Sequence, residues 1–500
     1  MSGATLVVAR RIAALGTAVI LMGPAPALAQ GATAARDSLA ARPAGAPGRP
    51  VAAPDTLAPR LPVVRRDALA AGDAEGIAAA DSLAGGEAMA INPAAPVPAP
   101  PPRDYVAEAR ANFTAENRSY AGTRTALGFV EPFYALLVAL LILFSGLAAK
   151  LRDLACRLSR RLYFQVLVFL TLYTVVDFVL GFPFAWYQGY ALERQYGLST
   201  QSFAAWLGDE GKGVGVTLIV YGLVPVLWLI YRAIARWPRG WWFPVALGTL
   251  PLILAGALIQ PLVIDPLYNR FTPLHDQHLK GRILELAAWG DVPARNVYEV
   301  DKSEQTVKYN AYVNGFGASQ RIVLWDTTLR GMREDEILFV VGHEMGHYRL
   351  GHIWRGIVLY SLGSFLLFFL ISRFAGGTLR RFGSHWDIRE LKDVASMPLL
   401  AAMLSLFSLV GQPVINAYSR RVEHEADAFA VELTRDNDAG ARAFLKLGSQ
   451  NRDDPEPSRF VTFYQYTHPP LMERIRFALA YRPWEQGKPN RYFHRPTARR

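Results

Sequence analysis

Arg333-Glu334-Asp335-Glu336-Ile337-Leu338-Phe339-Val340-Val341-Gly342-His343-Glu344-Met345-Gly346-His347 opens on charge, runs through five apolar residues and closes on two histidines four positions apart. The acids stand where the positive end of a helix dipole favours them, which predicts a helix starting in this charged stretch and carrying both histidines. On such a helix, positions i and i+4 share a face, so both imidazoles can reach one metal ion. Glu344 lies one residue round from His343. It can face a water activated by the metal and take its proton, without binding the metal itself.

The chain has one cysteine, Cys156, so an intrachain disulfide and a cysteine-rich metal site are both excluded. Any metal falls to histidines and carboxylates, and a single zinc ion per chain is the expectation. A catalytic zinc needs a third protein ligand and an open position. The best candidate lies in Glu423-His424-Glu425-Ala426-Asp427. There Glu423 and Asp427 share a helical face, while His424 points elsewhere. Glu423 would bind zinc, and Asp427 would accept the second N–H of a ligating imidazole. The plainer alternative is a solvated acidic helix face. His352 is expected to pack or cap at a membrane edge and is not assigned to zinc.

Working outward, the histidine helix sits among long apolar blocks. Hydrophobic residues make up 51% of the chain and charged residues 19%, too apolar for an ordinary soluble protein of this size. Spans are expected near 131–149, 162–186, 214–231, 241–264, 353–373 and 397–418, each close to the roughly 20 residues a helix needs to cross a bilayer. Arg, Trp and Tyr flank them, as in Trp237-Pro238-Arg239-Gly240-Trp241-Trp242. The net charge of +11 sits beside these blocks and at the C-terminus, so it reads as membrane anchoring and not as a nucleic-acid surface. Membrane lipid is therefore an expected partner. The oligomeric state is not legible in the sequence.

The domain reading follows. Residues 1–29 read as an export signal with Ala27-Leu28-Ala29 as its cleavage site, the alternative being an uncleaved anchor helix. Residues 30–130 hold an Ala/Pro-rich tether and a pre-membrane segment. N-terminal membrane helices fill 131–264, a zinc-binding catalytic segment 265–352, a membrane helix pair 353–418, and a C-terminal catalytic segment with the third ligand 419–500. Within 265–352, helical periodicity covers 275–289, and 296–300 and 321–325 read as short strands. The fold class is thus mainly α: a polytopic membrane protein of six to seven spans, with a metallopeptidase domain carrying a small β-sheet.

Several further stretches carry a resemblance. They are Pro266-Leu267-Tyr268-Asn269-Arg270-Phe271-Thr272-Pro273-Leu274, Asn310-Ala311-Tyr312, Arg321-Ile322-Val323-Leu324-Trp325-Asp326, the zinc motif through Gly351-His352, Ser419-Arg420-Arg421-Val422-Glu423, Ala426-Asp427-Ala428-Phe429-Ala430, and His468-Pro469-Pro470-Leu471-Met472-Glu473-Arg474. Over about 162–480 the chain resembles the CAAX prenyl proteases, polytopic membrane zinc metallopeptidases. The resemblance implies membrane helices enclosing a water-filled chamber, zinc on His343, His347 and Glu423, and Glu344 as base. It also implies that Asn310 aligns substrate backbone beside an edge strand within 307–315, and that His468 and Arg474 lie near the reacting carbonyl. By spacing alone Asn310 could be a turn residue, His468 a loop end and Arg474 a surface charge.

The functional expectation is peptide-bond hydrolysis of a peptide or protein substrate by a zinc metalloendopeptidase. The composition and the export signal look bacterial, so an inner-membrane location is expected and prenyl-protein processing is not claimed. A site-2-type protease is disfavoured by the charged start Arg333–Glu336 and by the lack of an Asn-Pro-Asp-Gly motif. A non-enzymatic scaffold or transporter is disfavoured because a binding-only site has no need of Glu344. Short basic loops stay inside. Lys150, Arg152, Arg157, Arg160 and Arg161 form one, Arg232, Arg236 and Arg239 a second, and Arg380, Arg381, Arg389 and Lys392 a third. That favours a zinc segment outside the cytoplasm, whereas the resemblance implies a zinc site facing the cytosol.

Overall fold

A computed structural model describes residues 103–314 and 321–494. The expected export signal, nearly all of the tether and the end of the 307–315 stretch lie outside the described residues.

Six helices among the described residues are long and apolar enough to cross a membrane. They are α2 (Ala115–Phe144), α4 (Leu162–Gln195), α5 (Phe203–Arg236), α6 (Trp242–Leu267), α10 (His352–Trp386) and α11, whose regular part runs Met397–Thr434. Large apolar side chains are exposed at i, i+4, i+8 spacing on three of them: Phe133, Leu137 and Leu141, Val358, Leu362 and Leu366, and Leu406, Val410 and Val414. Stripes of this kind would be intolerable in water and are what a lipid-facing surface requires.

The helices reach past the apolar blocks that announce them. α2 begins at Ala115, with Thr114 capping the Asn117 N–H, where the sequence suggested 131. Its polar first half carries Tyr120, which is buried against Glu193 and so sits inside the fold. The span also stops at Phe144. Residues beyond it turn through Gly146, at φ +69°, into a separate amphipathic helix, α3 (Leu147–Leu158). A short helix α1 (Tyr105–Asn112), capped by Asp104, precedes α2.

Between α6 and α10 lies a four-stranded sheet of order β1-β2-β4-β3. β2 (Val297–Val300) pairs parallel with β4 (Arg321–Trp325), near the two strands expected from sequence. β1 (Phe271–Pro273) and β3 (Ala311–Asn314) flank them antiparallel, so β3 is an edge strand. The helices of this region are α7 (Gln277–Trp289), α8 (Asp326–Gly331) and α9 (Glu334–Arg349). After α11 come α12 (Asn437–Asn451), α13 (Arg459–Gln465) and α14 (Leu471–Ala480).

Two apolar cores result. One lies among the spans, around Leu143, Phe169, Trp241, Leu379 and Trp386. The other lies under α9 and joins Phe339, Val341 and Met345 to Phe429, Val431 and Ile475. Buried polar contacts fix one region on the other. Lys308 and Tyr120 both reach Glu193, at 2.8 and 2.6 Å, so the approach to β3 is tied to α2 and α4. At the opposite end, Arg152 of α3 reaches Asp387 and Asp393 at 2.9 and 2.8 Å, and so joins two of the three basic loops.

Candidate metal centre

α9 starts as the acids predicted. Buried Glu336 accepts the Arg333 N–H at 2.7 Å and Lys446 Nζ at 2.7 Å, which ties the helix start to α12. From there the apolar run packs into the lower core, and α9 lies along the C-terminal half of α11. Small residues allow the approach. The Cα of Gly346 faces Ala426 and Phe429, and Gly342 faces Ala430. This contact brings residues about 80 positions apart in sequence to one point.

At that point Nε2 of His343 lies 3.1 Å from Nε2 of His347. Oε2 of Glu423 is 3.2 Å from His343 Nε2, and Oε1 is 3.4 Å from His347 Nε2. Tetrahedral zinc with bonds of about 2.0–2.1 Å sets its donors roughly 3.3–3.4 Å apart, close to the spacing here. Glu423 is 0% exposed, and neither carboxylate oxygen has a donor in hydrogen-bond geometry. A buried carboxylate in that condition is costly unless a cation satisfies it. Three lone-pair donors converging on one spot, one of them a fully buried carboxylate, fit a divalent ion.

The surrounding groups orient this set. Nδ1 of His343 lies 2.8 Å from Oδ1 of Asp427. Asp427 is gripped from the other side by Arg474, at 2.9 and 2.6 Å, and the guanidinium lies 4.2 Å from the Phe444 ring centroid. Burial disfavours the Arg474 cation, but Asp427 outweighs it and raises the pKa. His468 is drawn in by the loop before α14, with Nε2 3.3 Å from Glu423 Oε2 and Nδ1 2.9 Å from Thr467 Oγ1. Burial pushes its pKa down, with Glu423 opposing, so the ring favours its neutral form.

Glu344 hydrogen-bonds the backbone of Val313 on the edge strand. Burial raises its pKa, while the two imidazoles pull it down. Asn310 stands at the entry to β3. Its N–H donates to Thr328 Oγ1 at 2.8 Å, and its C=O accepts from the Trp325 N–H at 3.2 Å. Because neighbours alternate in an antiparallel ladder, the backbone groups of Ala311 and Val313 then face away from β4, toward Glu344.

Every site residue nominated from sequence thus lies in or beside one region: His343, Glu344, His347, Glu423, Asp427, His468 and Arg474 in contact, with Asn310 on the adjoining strand. Arg474 meets the site through Asp427, a partnership that no spacing in the sequence encodes. His352, which the sequence left unassigned to zinc and expected to pack or cap at a membrane edge, is the first residue of α10 and lies buried against His347.

Residues 273–482 match the model of peptidase family M48, and residues 99–270 match that of the CAAX prenyl protease N-terminal region, described as five membrane helices. Four of the spans fall within that second range. The chain is 34% identical over 359 residues to YhfN, an uncharacterized metalloprotease of Bacillus subtilis, covering 72% of this chain and 84% of the relative. It is 30% identical over 358 residues to the human CAAX prenyl protease 1 homolog, covering 62% and 73%. The crystal structure of S. mikatae Ste24p superposes with a TM-score of 0.63 at 26% identity, covering 74% of this chain and 88% of that one.

Proposed function

The chain belongs to peptidase family M48, and on that premise we propose that it is a membrane-embedded zinc metalloendopeptidase with Glu344 as general base. The observation that carries this is the buried, donor-free Glu423 carboxylate facing two imidazoles at the spacing of a tetrahedral ion. Zinc held by His343, His347 and Glu423 would supply Lewis-acid chemistry, polarising a carbonyl and acidifying water.

The protein's own groups do the rest. An extended peptide adds to the outward backbone of Ala311 and the outward carbonyl of Val313, which gives affinity with little demand on sequence. Asn310 sets the register of that strand. Glu344 takes a proton from the attacking water and returns it to the leaving amine. His468 stands beside Glu423, where a developing oxyanion would need a donor. Arg474 acts through Asp427, keeping it charged and aimed at His343. The substrate is a peptide or protein, and no prenyl group is required by these contacts.

We place this centre outside the cytoplasm. Along the chain the three basic loops alternate with the mixed-charge loop around 193–212 and the two catalytic segments, and Arg152 joins two of the basic loops. The test of the enzymatic reading is metal analysis of the purified protein coupled to peptide cleavage. About one zinc per chain, with cleavage lost to a chelator and restored by zinc, is expected. Cleavage that survives complete metal removal would refute it.

A further inference from the structure

One row of buried polar groups leads away from the metal centre. The ring nitrogen of His347 turned from Glu423, Nδ1, lies 3.0 Å from Nδ1 of His352. Nε2 of His352 lies 3.2 Å from Oε2 of Glu425. Glu425 also accepts from Arg355 at 2.6 Å and from Arg421 at 3.2 Å. His352 and Glu425 are only 3% and 7% exposed.

Proton counting gives the row a direction. A metal on Nε2 of His347 leaves the ring proton on Nδ1. Nδ1 of His352 must then accept, so its own proton sits on Nε2 and is donated to Glu425. Glu425 only accepts, and two guanidiniums balance its charge. A doubly protonated His352 would set two donors against each other, so the neutral tautomer is the one the row allows. Gly351 makes this possible. It ends α9 at φ +66°, where other residues are strained, and the turn brings the first residue of α10 back beside His347.

We propose that His352 and Glu425 are positioning residues for the metal centre, fixing the tautomer and ring orientation of His347 as Asp427 does for His343. The inference rests on His343, His347 and Glu423 being the metal site. His343 is held by a carboxylate directly, His347 by a carboxylate acting through a second imidazole. The relay also ties the ligand helix to the first turn of a membrane span, because Arg355 belongs to α10.

The test is zinc affinity of the full chain in detergent, read by competition with a chromophoric chelator, and the absorption spectrum of the cobalt-substituted protein. His352→Ala is expected to weaken zinc by roughly 10- to 100-fold and to shift the cobalt bands. His352→Asn, whose Oδ1 can accept from His347, should recover most of the affinity. Glu425→Gln keeps the shape but loses the charge and should fall between. Zinc bound as tightly by His352→Ala as by the wild type overturns the proposal. Should His352→Ala not fold, Glu425→Gln decides alone, and an unchanged affinity and cobalt spectrum there overturn it. A wild-type chain that takes up no zinc sinks the metal reading and this inference together, a result unlike a variant that merely matches the wild type.

Discussion

Gly342 and Gly346 stand one turn apart on the face of α9 that meets α11, and alanine is expected to act oppositely at the two. A Cβ at Gly346 would lie 3.2 Å from the Ala426 Cα and 3.2 Å from both Cβ and Cδ1 of Phe429. Two of these atoms belong to backbone or its first branch, and none is the loose end of a flexible side chain. The helices would have to part by a few tenths of an ångström. At Gly342 the same Cβ would meet Thr434 at 3.5 Å and Ala430 at 3.7 Å, ordinary contact. Alanine gains about 1 kcal/mol over glycine in a helix interior, whereas overpacking costs about 1–3 kcal/mol. Gly342→Ala should therefore raise the thermal midpoint in detergent slightly and leave zinc affinity unchanged. Gly346→Ala should lose stability on balance. Its strain lands between Glu423 and Asp427 and pushes the third donor off the other two, so zinc should weaken by about tenfold. Thermal unfolding with and without zinc, together with chelator competition, measures both. Equal zinc affinity in the two variants would refute the argument that this contact sets the donor spacing.

Glu344 and Glu423 should separate by role. Glu344→Gln should retain zinc and lose at least about 10²-fold in cleavage, whereas Glu423→Gln should lose the metal; metal content measured beside turnover checks this, and an active Glu344→Gln would defeat the mechanism. Burial, against the pull of Asp265, pushes the Lys302 ammonium down to about 8. Below that pH the folded chain bears the full cost of the buried cation. Between about 8 and the unfolded value near 10.4 it has released a proton that the unfolded chain keeps, so this contribution to stability rises with pH through the window. Thermal midpoints of Lys302→Met across the window should rise less steeply than those of the wild type, and identical slopes would contradict the assignment. For orientation, a cysteine at exposed His278 in a Cys156→Ser background should react with an impermeant thiol reagent on intact cells, and reaction only after lysis would put the catalytic face inside.

Much of this was legible because helices announce themselves locally. The i, i+4 pair His343 and His347, the acids before them and the six apolar blocks are each contained in one short window, and each lies on a helix, though the spans reach past the expected bounds. Strands β2 and β4 were legible from their Val, Ile and aromatic content. β1 and β3 were not, since three or four residues carry no period of their own and exist only because a neighbour offers a ladder. The start of α2 was missed because its first half is polar, and its buried Tyr120 is met by Glu193 and Lys308, which come from distant parts of the chain.

The sequence alone determined a membrane-spanning chain, a helix able to present two imidazoles and a base, and, by elimination of cysteine, a ligand set of histidine and carboxylate. It could nominate Glu423 but could not bring it to the histidines. That convergence depends on two helices approaching closely where Gly342, Gly346, Ala426 and Ala430 leave room, a property of two surfaces together and of neither sequence window. The same holds for Arg474 on Asp427 and His352 on His347. Side-chain hydrogen bonds reach about 3 Å, and which groups come within 3 Å of each other is decided only when the chain is packed.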